Sequence, residues 1–296
     1  MEKRAWGDWI FEHLSRSMAV LVLLLVIGGF ITMVVMSLPS IKAFGFSFLV
    51  RDTWNPITNE FGALPFIVGT LVTSFLALII TIPFSLSISL FLAEYAPTKV
   101  RGTMANLVET LAAIPSVIYG LWGIFFLVPL VRKLEIALKE PPYGVGAFTA
   151  SLILAVMIMP YATSVAEHVI AMVPCELKEG GYALGATRWE VMRHIVLPYA
   201  RSGIVAGLFL ALGRALGETM AVTMVVGNRN ALLKSIFDPT NTMASVIANE
   251  FTEATSKIYL SSLVEIGLVL FLITFVVNVI YKWVMNRLEV GQKETA

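Results

Sequence analysis

Charge is scarce in this sequence. Of 296 residues only 14% are Asp, Glu, Lys or Arg, while 57% are hydrophobic. Soluble domains average roughly 25% charged and 45–50% apolar residues, so much of this surface is not built to meet water. The formal net charge is +1, and no global field favours nucleic acid or an anionic membrane surface. Cys175 is the sole cysteine, which excludes an intrachain disulfide. His13, His168 and His194 lie far apart and give no zinc-type spacing. There is no Gly-x-x-x-x-Gly-Lys-Ser/Thr loop to cradle nucleotide phosphates, no His-Glu-x-x-His and no nucleophile elbow. Low-complexity runs, flexible linkers and usable internal repeats are missing too.

Long apolar runs are what the sequence has. About 20 mostly apolar residues cross a hydrocarbon core of roughly 30 Å. Six stretches meet that length: Met18–Leu38, Leu64–Ala93, Leu107–Val131, Gly146–Met172, Tyr199–Val226 and Leu260–Met285. The first is too long for the core of a signal peptide and no small-x-small cleavage site follows it, so it reads as a retained anchor. The expectation is an all-α, polytopic bundle of six transmembrane helices.

Lys and Arg set the expected orientation. Twelve lie in the amino end, the 94–106 and 173–201 loops and the carboxyl tail, against eight in the other loops. The bias places both termini in the cytoplasm of a multi-pass protein. The chain then divides into residues 1–63, an anchor helix and external loop; 64–285, a core of five crossings with an inner loop at 174–198; and 286–296, a tail. The outer loops 39–63 and 227–258 are long enough to carry function or form small interfacial helices.

The inner loop has more apolar content than a solvated loop needs: Leu177, Tyr182, Leu184, Trp189, Val191 and Met192. Gly185 permits a sharp bend between two short helices. Such a knuckle either docks into a groove on a partner or lies on the lipid interface. Gly180 and Gly181 each cost about 1 kcal/mol of helix propensity relative to Ala, which predicts a loose first helix.

Arg214 and Glu218 stand inside the fifth apolar run, where a charge costs about 2.5–3.5 kcal/mol unless it faces protein, water or a partner. In one continuous helix Gly203, Gly207, Ala211, Arg214 and Glu218 fall within an arc of roughly 80°, a stripe that permits close helix approach. The pair either locks the bundle or forms an anion site or gate, since guanidinium suits phosphate oxygens.

Pro83, Pro115 and Pro160 interrupt helices two, three and four. After Pro115 the amides near Ser116 and Val117 either face an anion, as half-helix ends do in transporters, or merely follow a packing kink. Thr70, Thr73 and Ser74 either bond back to helix carbonyls or line a path. His168 reads as an interfacial histidine, Glu109 and Glu167 as wetted residues near helix ends, and Glu265 as a carboxyl about a turn or more inside helix six without a nameable partner.

The loop resembles the EAA motif of ABC import permeases: Glu-Ala-Ala, three residues, Gly, nine residues, Ile, any residue, Leu-Pro. Glu179, Gly185, Ile195, Leu197 and Pro198 fit every landmark, and Gly180 and Gly181 replace the two alanines. Residues 211–222, with Arg-Ala-Leu-Gly-Glu at 214–218, resemble the phosphate permeases of bacterial ABC importers, as do Phe61–Pro65, Gly69–Leu71, Glu94–Pro97 and Ile114–Gly120. The likeness spans nearly the whole chain. It implies the type I, binding-protein-dependent permease fold in a bacterial inner membrane, with Glu179, Gly180, Gly181, Gly185, Ile195, Leu197 and Pro198 coupling to an ATPase. It implies Arg214 and Glu218 in phosphate passage, with Pro115, Ser116 and Thr70 as further pathway candidates. The implied partners are a second permease, two ATPase subunits that use ATP and magnesium, an external phosphate-binding protein and the lipid bilayer, with no nucleic acid and no cofactor on this chain. The rivals are a permease for molybdate, sulfate or phosphonate, a self-sufficient secondary transporter or channel, and a membrane-embedded enzyme.

Overall fold

A computed structural model describes residues 6–293 and is helical, with no strands among them. α1 (Trp6–Phe44) is a single rod with Pro39 inside it. A short α2 (Ser47–Val50) and a loop lead to α3 (Leu64–Leu90), whose last turns continue as a π-helix over Phe91–Tyr95. α4 (Thr98–Ala112) follows. After Pro115 come α5 (Ser116–Trp122), a π segment at Gly123–Leu127 and α6 (Val128–Leu138), which run on as one crossing. α7 (Ala147–Ala171) leads to the short α8 (Cys175–Ala183) and α9 (Arg188–Val191), a π segment at Met192–Val196 and α10 (Leu197–Leu216). α11 (Met220–Val225), α12 (Met243–Glu250) and the long α13 (Lys257–Lys293) complete the chain.

Among the described residues, six helices are long and apolar enough to cross a membrane. Four coincide with the expected runs, but the fifth, Arg188–Leu216, starts and ends about ten residues before the expected Tyr199–Val226, and the third lies elsewhere. Leu107–Ala112 end α4, and the crossing is Ser116–Leu138. Pro115 stands in extended backbone (φ −56°, ψ 136°) just before α5, so it starts a helix instead of kinking one. Its missing N–H costs nothing at that position. Pro83 and Pro160 do lie inside helices.

α7 is the most buried crossing and packs along α3 and α10. It buries Ala150, Ala155, Ala162 and Ala166, small residues that let neighbouring backbones come close. On α10, Gly203 and Gly207 face the Val169 and Val165 side chains of α7 so closely that no Cβ fits at Gly203 without a shift. The Thr and Ser hydroxyls of α3 bond back to carbonyls, Thr70 to Phe66, Thr73 to Gly69 and Thr81 to Ala77, each at 2.8 Å. That discharges their polarity inside an apolar bundle.

The bundle has two different ends. One, the lid end, gathers residues 45–63 and 227–256. Phe48, Phe61, Phe66, Met243 and Leu263 form its apolar centre. The amides opening α7 are received by carbonyls outside it: Gly146 donates to Val225 at the end of α11, and Ala147 to Asp238 and Phe148 to Ile236 in the loop. These are donors a helix start cannot satisfy internally. The other, the knuckle end, buries Val191, Met192 and Val196 against Ile170 and Ala200.

α1 touches the bundle through its second half only. Ser40 N donates to Ser261 Oγ at 3.0 Å, Ser40 and Ser262 hydroxyls meet at 3.0 Å, and Phe30 packs on Phe271. Glu265 is buried in this seam beside Ser40, and its Oε2 has no partner among the described residues. Every large apolar residue from Trp9 to Ile27 is exposed.

Candidate functional site

Arg214 lies in the last turn of α10, where a cation favours the negative end of the helix. The helix then breaks over Gly217–Thr219. The expectation of one continuous helix through residue 226, with Arg214 and Glu218 on a shared face, is therefore corrected. A Cβ would meet open space at Gly213 and only an ordinary contact, 3.9 Å from Gly213 O, at Gly217; Gly213 inside α10 weakens that helix by about 1 kcal/mol relative to Ala, and Gly217 caps its end. Glu218 belongs to the start of α11: its Oε1 accepts from Ala221 N at 3.3 Å. A carboxylate suits that helix end as a guanidinium suits the other. The two charges meet across a break and are held by different helices.

Their environments differ. The Arg214 side chain is 41% exposed and that of Glu218 only 7%, with 3.9 Å between guanidinium nitrogen and carboxylate oxygen. On another side the guanidinium lies 5.1 Å from the Tyr161 ring centre, within cation–π range. Tyr161 donates its hydroxyl to Ala112 O at 3.2 Å. The end of α4, just before Pro115 and Ser116, is thus linked through Tyr161 to Arg214. Arg214 also opens onto a cavity of about 520 Å³ between α10 and α13.

Thr70 is elsewhere. It is buried near the lid end, donates to Phe66 O and accepts from Met243 N at 2.9 Å, which fastens α12 to α3. Glu167, expected to be wetted, is buried and takes Arg101 Nε at 3.2 Å. Glu109 is exposed. His168 is exposed and bonds to Ser164 O.

At the knuckle end α8 and α9 meet at Gly185, whose φ of +84° is the left-handed conformation expected of a sharp bend. Thr187 and Glu190 cap α9 reciprocally, with Thr187 N donating to Glu190 Oε2 at 2.7 Å. Gly181 is buried, and a Cβ there would stand 2.6 Å from Ile195 Cδ1; Gly180 faces open space. So one glycine of the pair has a packing reason and the other has none. α8 forms through both. Leu197 and Pro198 open α10, and Glu179 is exposed. Lys178 pairs with Glu94, and Arg188 both donates to Glu94 O and covers the Tyr95 ring at 4.3 Å. These contacts tie the knuckle to the π-helical end of α3. Its outer face is apolar and bare: Leu184 is 91% and Trp189 60% exposed.

Three features were not read in the sequence. Tyr161 offered no signal beyond an aromatic in an apolar run. Glu250 is the centre of the lid: Oε2 accepts from Trp54 Nε1 and Tyr259 Oη at 2.7 Å each, and Oε1 from Asn230 Nδ2 at 2.8 Å. These partners are too far apart in the chain for any spacing rule. Asn278, an amide inside the last apolar run, did carry a signal, because an uncharged polar group at membrane depth needs a partner or a cavity.

A bundle of six apolar helices, a charged pair at a helix break and a bent apolar knuckle at one end define a polytopic membrane permease subunit. Residues 85–290 match the family model described as "Binding-protein-dependent transport system inner membrane component". The chain belongs to that family, and it is a multi-pass inner-membrane protein of the transport class. It is 46% identical to the Mesorhizobium japonicum phosphate transport system permease protein PstC, over 96% of this chain and 92% of that one. It is 47% identical to PstC of Pasteurella multocida, over 95% and 92%. The fold is that of solved ABC permeases. It matches a chain of a bacterial ABC transporter for alginate with a TM-score of 0.62 at 18% identity, covering 95% of this chain and 99% of that one. It matches one from the inward-facing MetNI methionine transporter with a TM-score of 0.59 at 16% identity, covering 80% and 99%.

Proposed function

We propose that this chain is the transmembrane permease subunit of an ATP-driven, binding-protein-dependent phosphate importer and forms one half of its path. The observation that carries the reading is the near-full-length identity of 46–47% to phosphate permeases. The chemistry of Arg214 supports it. A guanidinium grips a tetrahedral oxyanion with parallel N–H donors. Its present partner is weakly held: 3.9 Å exceeds the roughly 2.7–2.9 Å of a charge-assisted hydrogen bond. An ion pair with one member this exposed is worth about 1 kcal/mol or less, so an arriving phosphate displaces Glu218 from the guanidinium. Glu218 stays bonded to α11 and closes back on Arg214 once the anion has left. Pro115 and Ser116 follow the Ala112 carbonyl that Tyr161 holds and open α5, and Thr70 serves the lid.

In this reading a second, similar permease supplies the other half of the path. Two ATPase subunits, using ATP and magnesium, grip the knuckle at 174–198, and an external phosphate-binding protein delivers cargo to the lid end. Both termini face the cytoplasm, and the chain needs no cofactor. The test is ATP-dependent phosphate uptake by vesicles holding the assembled importer. Arg214→Gln is expected to lower uptake at least about tenfold, the scale of a lost charged hydrogen bond. Unchanged uptake in Arg214→Gln and Glu218→Gln, or preference for sulfate over phosphate in the unaltered importer, overturns the reading.

A further inference from the structure

Asn278 faces the same cavity as Arg214; α13 carries no charged residue from Gly267 to Tyr281, and Lys282 follows one turn past Asn278. Asn278 is exposed, and its one hydrogen bond among the described residues runs from Nδ2 to Thr274 O at 2.9 Å. That leaves Oδ1 and the second Nδ2 proton uncommitted. Thr274, a neighbour in the wall, already donates its hydroxyl to Leu270 O at 2.9 Å. Tyr281 is braced by Phe209, with ring centres 5.4 Å apart, so this side of the cavity is a firm surface. At about 520 Å³ the space holds a tetrahedral anion with several waters, each of which takes about 30 Å³ in the liquid.

A guanidinium has donors and no acceptor. Alone it attracts any oxyanion and distinguishes none. Phosphate near neutral pH still carries a P–OH proton, which needs an acceptor, whereas sulfate carries none. A carboxamide supplies an acceptor for that proton and a donor for a neighbouring oxygen, without adding a charge that would compete for Arg214. We infer that Asn278 is a cargo-binding residue that receives the P–OH of phosphate in the Arg214 cavity and thereby sets preference for a protonated oxyanion over a fully ionised one. The inference rests on the phosphate reading above.

The experiment uses the assembled importer in vesicles and compares Asn278→Leu and Asn278→Ser with the unaltered chain. Phosphate uptake per assembled complex, its apparent KM and inhibition by sulfate are measured together. For Asn278→Leu the expected result is an apparent KM raised roughly tenfold or more and a phosphate-to-sulfate preference lowered by the same order. Asn278→Ser, which keeps a hydroxyl that both donates and accepts, should fall between the two. A merely structural role changes the amount of complex and leaves that preference untouched. If either variant assembles and keeps the original KM and preference, the inference is overturned. If the unaltered importer moves no phosphate, it is the functional reading that fails. Should Asn278→Leu not assemble, the Ser variant decides alone.

Discussion

The lid end and the knuckle end are both built from short helices joined by turns, yet they treat their surfaces in opposite ways. At the lid end polarity is consumed internally. Glu250 takes hydrogen bonds from Trp54, Tyr259 and Asn230, and Asn241 Nδ2 then reaches Asn230 Oδ1 at 2.8 Å. Three segments distant in sequence are stitched by one carboxylate. At the knuckle end the inner contacts are equally specific, through Glu94, Lys178 and Arg188, but the outer face leaves Leu184 and Trp189 bare. A satisfied network holds one arrangement. A bare apolar patch on a fixed support is a surface made to be covered. That difference is why the proposed function assigns partner binding to the knuckle end and a fixed frame to the lid end.

The sharpest way to break this comparison is to spoil the bare face. Leu184→Asp with Trp189→Asp should weaken ATPase binding about 30-fold or more, the scale of lost interface anchors, and leave the thermal stability of the isolated permease near its original value. Pull-down of the ATPase subunits and a melting curve read both quantities. Retained binding would show that the face is covered by lipid. Next in size is the lid. Glu250→Ala leaves three donors without their acceptor, and a buried unpaired donor costs about 1–3 kcal/mol. The melting temperature should drop by several degrees while ATPase binding persists. An unchanged melting curve would remove the lid from the stabilising elements. Smallest is Gly180→Ala, which gains up to about 1 kcal/mol of helix propensity in α8 with nothing for the new methyl to strike. Gly181→Ala at the neighbouring position must push Ile195 aside and should gain less. Equal gains at the two positions would contradict the packing of Ile195 over Gly181.

What the sequence made legible follows from which forces are local. Six apolar runs declared themselves by length, and Gly185 declared its bend because the left-handed conformation has few other occupants. The run at Leu107–Val131 misled, because the end of α4 is apolar enough to extend a crossing and a proline reads equally as a kink or a start. The fifth run misled in a similar way. A helix break at Gly217 adds no charge and no proline to the pattern, so Arg214 and Glu218 looked like neighbours on one helix when they are opposite sides of a joint. Glu167 looked wetted because its partner, Arg101, lies 66 positions away. The Glu250 network was beyond reach for the same reason. Asn278 could have been singled out and was not: its apolar neighbours hid a residue that only a cavity or a partner explains.

The first helix carries a last consequence. From Trp9 to Phe44 it runs 36 residues, about 54 Å at 1.5 Å per residue, against a hydrocarbon layer of roughly 30 Å. A rod of that length cannot stand upright inside the layer; it leans or emerges. Bilayer thickness therefore acts on the angle of α1, and through the serine seam beside Glu265 it acts on α13, the helix that bears Asn278.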